Sequence, residues 1–314
     1  MRARRTARPQ TRGALFFLVL SSLFIPVLLC AEPHPFKNLS FPRLIDPSEL
    51  VPFVNHPSVR IVDMRSSLLD YLSEHLPNAV YLHFESLRLP KKGIPAQGPD
   101  RLLLEKLAGE HLGLSNAMWV ILYSERSNPN ATSLAWVLDH LGHRKFGILN
   151  GGLERWKAEK LPLTQTYPSL QPKKFFAKLN PEVLIEKREV LGRLSSKGSV
   201  IVDARPFRQY TGEEGEEIRR GHIPGARHFY WETSLEGEEI KVWRKRGELE
   251  KLLQESGITR EKEVIVHCRT GREASHLYFT LRYLLGYPTV RLYRGSWVEW
   301  SADLSLPVKT GPDP

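Results

Sequence analysis

Short apolar runs rich in valine and isoleucine recur along the chain without alternating polar positions. Such runs are typical of strands that are buried on both faces of a sheet. Two stretches between them repeat apolar residues at helical spacing, and the second stops at Gly286 with Pro288 beyond it. We predict strands at 59–62, 120–123, 200–202, 264–266 and 289–293, and helices at 134–141 and 277–285. This alternation predicts an α/β fold in which open, mostly parallel sheets are flanked by helices.

The two halves of the chain repeat the same motifs in the same order. Ile61 to Arg65 returns as Ile201 to Arg205, and His75 to Ala79 returns as His222 to Ala226. The repeating unit is far longer than one turn of a solenoid, so we interpret it as a duplicated domain.

The segment between the two copies is rich in proline and lacks helical periodicity, which is typical of a linker. We predict a first domain at 44–164, a linker at 165–181 and a second domain at 182–310. Arg205, Cys268 and Arg294 each follow a predicted strand of the second domain directly. Ligands of parallel sheets gather at the carboxyl ends of the strands, so we expect these three residues along one rim.

The N-terminal residues have the pattern of an export signal. Five arginines precede an almost wholly apolar stretch at 14–29, and small residues follow near Ala31. We predict a signal peptide at 1–31 and a periplasmic or secreted protein, with no stable membrane insertion after cleavage. If the leader is retained instead, the protein is membrane-anchored.

The formal net charge of +10 overstates the basicity of the mature chain, because five of its 45 lysines and arginines lie in the leader. The remaining basic residues are interleaved with acids, which favours a solvated surface over nucleic-acid binding. The chain has two cysteines, no Cys-x-x-Cys spacing and dispersed histidines, so we expect neither a metal nor another cofactor.

Cys268 is the one thiol that remains if Cys30 is removed with the leader. It ends a β-branched run and is followed by Arg269, Thr270, Gly271 and Arg272, after which a helical pattern begins. Backbone amides of such a loop and the helix N-terminus favour a thiolate and bind anions. We therefore predict a cysteine nucleophile, with an inert core cysteine as the alternative.

These motifs, together with Gly295, Trp297 and Trp300, resemble those of the tandem-domain rhodanese sulfurtransferases over residues 44–310. The resemblance implies a catalytic C-terminal domain beside an N-terminal copy without the cysteine, and Ser124 stands at the matching place. It also implies transfer of a sulfane sulfur through a Cys268 persulfide, without a cofactor. The donor implied is small and anionic, either thiosulfate or 3-mercaptopyruvate, and the acceptor is thiophilic, either cyanide or a thiol.

The resemblance makes Cys268 the catalytic residue and Arg205 the ligand of the donor's anionic group. An ion pair with Asp203 is the alternative for Arg205, because Arg65 holds the equivalent place in the copy without a cysteine. We expect the loop to bind the substrate through Arg269, Thr270, Gly271, Arg272, Glu273 and Ala274. Glu273 then either points outward or is offset by arginines.

Two other functions share some of these features. Cysteine phosphatases also place a histidine before the nucleophile, but their loop needs an arginine six positions after the cysteine, where this chain has Ala274. A noncatalytic rhodanese-like binding or sensor module is the second alternative, and Cys268 argues against it. His267 precedes the nucleophile on a strand, so we expect it to face away from Cys268. The pattern leaves the oligomeric state and the choice of donor open.

Overall fold

The computed structural model describes residues 35–36 and 39–314. The predicted signal peptide at 1–31 lies outside the described residues. Within the described part, no helix combines the length and the apolar character that a membrane crossing requires.

The strands of the first half are β1 (Arg43–Ile45), β2 (Val59–Asp63), β3 (Ala79–Tyr81), β4 (Leu89–Lys91), β5 (Ile94–Gln97), β6 (Trp119–Tyr123) and β7 (Phe146–Leu149). They form a five-stranded parallel sheet with the strand order β1-β7-β6-β2-β3 and a small antiparallel hairpin, β4-β5. The α-helices of this half are α1 (Pro47–Leu50), α2 (Leu68–Ser73), α3 (Arg101–Lys106), α4 (Asn130–His140) and α5 (Gly152–Ala158).

The strands of the second half are β8 (Leu184–Ile185), β9 (Ser199–Asp203), β10 (Arg227–His228), β11 (Leu235–Glu236), β12 (Val242–Trp243), β13 (Glu263–His267) and β14 (Val290–Tyr293). They repeat the arrangement of the first half, with a parallel sheet of strand order β10-β9-β13-β14-β8 and a two-stranded hairpin, β11-β12. The α-helices of this half are α6 (Lys187–Leu191), α7 (Phe207–Thr211), α8 (Arg246–Glu255), α9 (Arg272–Phe279) and α10 (Ser296–Ala302).

The duplicated α/β fold is confirmed, and all five predicted strands are present with bounds that differ by at most one residue. The agreement follows from burial, since both faces of these central strands are covered and only apolar side chains suit them. The helices begin earlier than the apolar spacing predicts, because their first turns carry polar residues. After α9 the chain continues in a wider helical turn over 280–284 and then turns at Gly286, where φ is +72°.

The two halves pack against each other through α4 and α9. Thr132 Oγ1 lies 2.9 Å from Ser275 Oγ across this contact, and the Tyr278 hydroxyl donates to Asp139 Oδ2 at 2.7 Å. The predicted linker forms neither helix nor strand at 165–180. It lies along the first half, and the amide of Lys173 donates to the Gly109 carbonyl at 2.8 Å. The contact between α4 and α9 brings the first half close to the loop after Cys268.

Candidate active site

Cys268 follows β13 directly and its side chain is fully buried. The chain then makes a tight loop and enters α9 at Arg272. Gly271 adopts a left-handed conformation with φ at +89°, and its amide nitrogen lies 3.1 Å from Cys268 Sγ. A side chain is rarely accommodated in that conformation, so glycine at this position allows the amide to face the sulfur.

The surroundings of Cys268 act on the pKa of its thiol in opposite directions. Burial raises the pKa of the Cys268 thiol, and the Glu273 carboxylate raises it further, whereas the amides of Ala274 and Thr270 lower it. The first two effects dominate because the sulfur has no contact with solvent and lies beside an acid. The loop amides thus act in the direction that the sequence predicts, burial and Glu273 oppose them, and a thiolate in the free protein stays a prediction.

Glu273 does not point outward. Its side chain is mostly buried, and Oε1 accepts a hydrogen bond from Arg272 Nη2 at 3.2 Å, while Oε2 is buried and has no hydrogen-bond partner in the described part of the chain. Arg272 thus offsets part of the charge of Glu273. Arg269 does not contribute to this, because its guanidinium forms ion pairs with Glu216 and Glu217. The acidic character of residues 213–217 is the one sequence feature that points to the pairing of Arg269 with Glu216 and Glu217.

Arg205 lies in a buried ion pair. Its Nε donates to Asp203 Oδ1 at 2.9 Å, its Nη2 donates to the Gly221 carbonyl at 2.7 Å, and the guanidinium stacks on the ring of Trp297 at 4.7 Å. Only 2 % of the residue is exposed. The alternative role, an ion pair with Asp203, is therefore formed, and the structure does not place Arg205 on an open surface for a donor.

The first half contains the same ion pair. Arg65 Nε donates to Asp63 Oδ2 at 2.9 Å, and Arg65 Nη2 donates to the Glu74 carbonyl at 2.6 Å. An identical arrangement in a domain without a cysteine indicates that this arginine orders the strand end in both copies. The role of Arg205 in donor binding stays a prediction.

The other loop residues take different places. Thr270 Oγ1 accepts a hydrogen bond from Arg88 Nη1 of the first half at 3.3 Å. Ala274 is fully buried and contributes its amide. Its methyl group offers no equivalent of the guanidinium clamp that a cysteine phosphatase needs.

Two arginines near the loop were not among the predicted site residues. Arg88 comes from the first half, and no sequence pattern connects it with Cys268. Arg294 follows β14, next to β13, and its rim position was the one available signal. Both line a small cavity beside Thr270 and Gly271, and Arg294 also lines a cleft of about 790 Å³ between the two halves.

The remaining polar residues near the predicted site have structural contacts. His267 is buried, and its Nε2 lies 3.8 Å from Asp203 Oδ2. Burial lowers the pKa of His267, so its imidazole is neutral at neutral pH, and it has no access to solvent. Ser124 is buried and donates to the Asn128 carbonyl at 2.7 Å. Over the described residues, no group of three or more histidine, cysteine or acidic side chains is arranged to hold a metal ion.

The sequence and the structure both match known proteins. The model of the rhodanese-like domain matches twice, at residues 46–159 and 186–303. A putative thiosulfate sulfurtransferase of Synechococcus elongatus is 37% identical over 309 residues, which cover 95% of each chain. The thiosulfate sulfurtransferase of Azotobacter vinelandii is 33% identical, covering 86% of this chain and 98% of that protein.

A relative named for a different donor matches as well. The 3-mercaptopyruvate sulfurtransferase of Escherichia coli strain K12 is 31% identical, covering 83% of this chain and 95% of that protein. Among solved structures, wild-type EanB superposes with a TM-score of 0.76 at 25% identity, covering 86% of this chain and 69% of that chain.

The described residues form a duplicated parallel-sheet α/β fold, and Cys268 lies beneath a loop of backbone amides in the second copy. With two matched domains and relatives above 30% identity over most of its length, the chain belongs to the rhodanese family. It is a sulfurtransferase, which acts on a sulfur donor and an acceptor.

Proposed function

We propose that Cys268 carries sulfur from donor to acceptor as a persulfide, in a double displacement. In the first step the Cys268 sulfur attacks the sulfur to be transferred and a new sulfur–sulfur bond forms. The bond that held this sulfur in the donor breaks, and sulfite leaves thiosulfate, or the enolate of pyruvate leaves mercaptopyruvate, with the electron pair. In the second step cyanide or a thiol attacks the terminal sulfur, and Cys268 takes the electron pair of the broken bond.

The observation that carries this proposal is the contact between the Gly271 amide and the Cys268 sulfur at 3.1 Å. Together with the amides of Thr270 and Ala274 it supplies fixed dipoles around the sulfur. These dipoles stabilise negative charge on the persulfide without a metal.

Glu273 is the group best placed to receive the thiol proton in the first step. It lies beside Cys268, and its buried Oε2 has no hydrogen-bond partner within the residues described. A carboxylate in contact with the thiol is a general base of the kind that activates nucleophiles.

The proposed donor is thiosulfate or 3-mercaptopyruvate. Relatives of similar identity carry either name, so the donor is decided by comparing kcat/KM for the two compounds with cyanide as acceptor. A donor with at least a tenfold higher kcat/KM is the preferred one, and activity with neither compound contradicts the proposed donor class.

The test of the mechanism is Cys268→Ser, with Ser124→Ala as the matched control in the other half. After incubation with thiosulfate and removal of the excess, we expect the wild-type protein and Ser124→Ala to gain the mass of one sulfur atom, which cyanide removes. Cys268→Ser gains no sulfur and has no transferase activity. Undiminished turnover in Cys268→Ser contradicts the persulfide mechanism.

We also propose that the protein is exported. The support is the pattern of five arginines followed by the apolar stretch at 14–29. Expression of the full chain followed by fractionation and mass measurement tests this, and we expect a processed form that begins near residue 32 outside the cytoplasm. Recovery of the unprocessed chain in the cytoplasm contradicts export.

A further inference from the structure

Arg294 is a largely enclosed cation without a counterion. Its Nη2 donates to the Leu87 carbonyl, its guanidinium stacks on Trp136 at 5.1 Å, and its Nε is buried without a hydrogen-bond partner. No carboxylate of the described chain lies within 4.0 Å of it. Burial, with the nearby charge of Arg88, lowers the pKa of Arg294 to about 10, so the side chain still carries its charge at neutral pH. An enclosed charge of this kind favours binding of an anion.

Unlike Arg294, the neighbouring arginines have acidic partners. Arg88 is paired with Glu85, Arg272 with Glu273, and Arg269 with Glu216 and Glu217. Their charges are therefore already compensated. Among the arginines beside the loop, Arg294 is thus the one that has no acidic partner within the described residues.

The cleft that Arg294 lines has further positive charge available. The hairpin β4-β5 and α4 form one wall, and the start of α6 and α10 form the other. Lys91 and Lys92 lie exposed on the hairpin, and neither forms an ion pair within the described chain. The acids of the cleft already have partners: Asp303 pairs with Lys187, Glu299 accepts from Tyr293, and Glu186 caps α6.

Gly98 on the same wall permits the position of the Arg294 guanidinium. A Cβ atom at residue 98 would lie 2.6 Å from Arg294 Nε, which is shorter than any ordinary contact. The absence of a side chain at Gly98 therefore leaves room for the guanidinium at the edge of the cleft.

The cleft adjoins the catalytic loop through the backbone of Arg294. A Cβ atom at Gly271 would lie 3.3 Å from the Arg294 carbonyl oxygen, and the Gly271 amide is the one that contacts the Cys268 sulfur. Arg294 also lines the small cavity formed with Arg88, Thr270 and Arg272. Arg294 thus lies between the cleft and the loop that holds the sulfur.

Resting on the proposed function, we propose that this cleft binds the carboxylate of an organic thiol that accepts the sulfur, and that Arg294 pairs with that carboxylate. The volume of about 790 Å³ is in the range of pockets that hold ligands of drug size and far exceeds what a donor as small as thiosulfate fills. The bound thiolate attacks the terminal sulfur of the Cys268 persulfide, a new sulfur–sulfur bond forms, and Cys268 leaves as the thiolate. The products are the persulfide of the acceptor and the free enzyme, and no further oxidant or reductant is needed.

The first test uses Arg294→Gln and Arg294→Lys, with Arg101→Gln as the control for loss of an arginine on an exposed helix. Thiosulfate or 3-mercaptopyruvate, whichever the wild-type enzyme uses, is the donor. The acceptors are glutathione, which carries two carboxylates, and 2-mercaptoethanol, which carries none. We expect Arg294→Gln to raise KM for glutathione about tenfold or more, since a charge-assisted hydrogen bond is lost. Arg294→Lys keeps the positive charge, so its KM for glutathione should lie between those of the wild-type enzyme and Arg294→Gln.

In the same variant, KM for 2-mercaptoethanol and for the donor stays within about twofold of the wild-type value. A selective rise of the donor KM assigns Arg294 to the donor and overturns the proposal. An equal rise for both thiols shows that the carboxylate is not recognised, and it overturns the proposal too. Thermal unfolding of each variant identifies any loss of activity that arises from a less stable fold.

The second test does not depend on turnover. S-methylglutathione, which keeps the carboxylates but has no thiol, is titrated calorimetrically into Cys268→Ser and into the double variant with Arg294→Gln. We expect binding to Cys268→Ser and at least tenfold weaker binding to the double variant. Equal binding, or no binding to either, overturns the cleft proposal. If the wild-type enzyme transfers no sulfur, the proposed function fails on its own, and this titration still decides whether the cleft binds the anion.

Discussion

The amide nitrogen of Gly271 lies 3.1 Å from the sulfur of Cys268. This contact requires the left-handed backbone at Gly271, where φ is +89°. The same residue lies against the backbone of Arg294, so the conformation of one glycine places an amide at the sulfur and joins the catalytic loop to the strand end of β14.

Substitution of Gly271 by alanine is expected to reduce kcat/KM by about tenfold or more, because loss of one amide aimed at a reacting atom typically costs at least that much. The left-handed conformation costs an alanine about 1 kcal/mol, and its methyl group would lie 3.3 Å from the Arg294 carbonyl. The control is Gly247→Ala in α8, where the added methyl group meets nothing within 4 Å. Equal kcat/KM for the two variants contradicts a role for the Gly271 amide.

Glu273→Gln is expected to lower the pKa of the Cys268 thiol, because a negative neighbour that raises this pKa is removed. The rate of alkylation by iodoacetamide, measured against pH, reports the thiolate fraction. We expect its midpoint to move to lower pH in Glu273→Gln, while Glu236→Gln on β11 keeps the wild-type midpoint. If Glu273 is also the base that receives the proton, the rate constant for sulfur transfer from the donor to Cys268 falls in Glu273→Gln, even though more thiolate is present.

The stability of the protein is expected to depend on the ionisation of Cys268 at high pH. Folding raises the pKa of this thiol above the unfolded value of about 8.5. Its contribution is therefore fully present below about pH 8.5 and is lost as the pH rises toward the folded pKa. The free energy of unfolding of the wild-type protein, relative to Cys268→Ser, should fall by up to about 1.4 kcal/mol for each pH unit above that value. Parallel pH profiles of the two proteins, measured by urea unfolding under reducing conditions, contradict the burial of the thiol as the cause.

Arg65→Ala and Arg205→Ala are expected to destabilise the protein by similar amounts, about 3–5 kcal/mol each, because each leaves a buried aspartate without its partner. Asp63 and Asp203 are both fully buried, and each accepts from its arginine through both carboxylate oxygens. Chemical unfolding measures the two losses. A much larger rise in the donor KM for Arg205→Ala, at a temperature where both variants are folded, restores the role in donor binding that the sequence predicts.

The sequence predicted the sheet well because its central strands are covered on both faces, and that burial leaves a direct record in runs such as 264–266. The place of Cys268 followed from the same pattern, since a strand end is visible where an apolar run stops. The bounds of α4 were less predictable, because its first turn carries the buried polar residues Asn130, Thr132 and Ser133.

The chemistry of the loop was harder to predict than its place. Whether Glu273 points inward depends on Arg272 and on the packing around Cys268. Neither of these leaves a periodic pattern in the sequence. Arg205 also follows a strand end as Cys268 does, yet its guanidinium turns back toward Asp203, two residues earlier. Arg88 approaches Thr270 from 182 residues away, a contact that depends on the packing of two domains and leaves no local signal.

The contact between the halves gives a last prediction, centred on Asp139 of α4. Asp139 Oδ2 accepts hydrogen bonds from Tyr278 of α9 and from Tyr283, and the aspartate is fully buried. Asp139→Ala leaves these hydroxyls without their acceptor, so we expect a loss of about 2–4 kcal/mol in the free energy of unfolding. Asp139→Asn keeps an acceptor oxygen and should lose less. Adding Tyr278→Phe to Asp139→Ala should recover part of the loss, because one unpaired hydroxyl is then removed. Urea unfolding of these three variants and of Tyr278→Phe alone measures this, and additive losses in the double variant contradict the pairing as the source of stability.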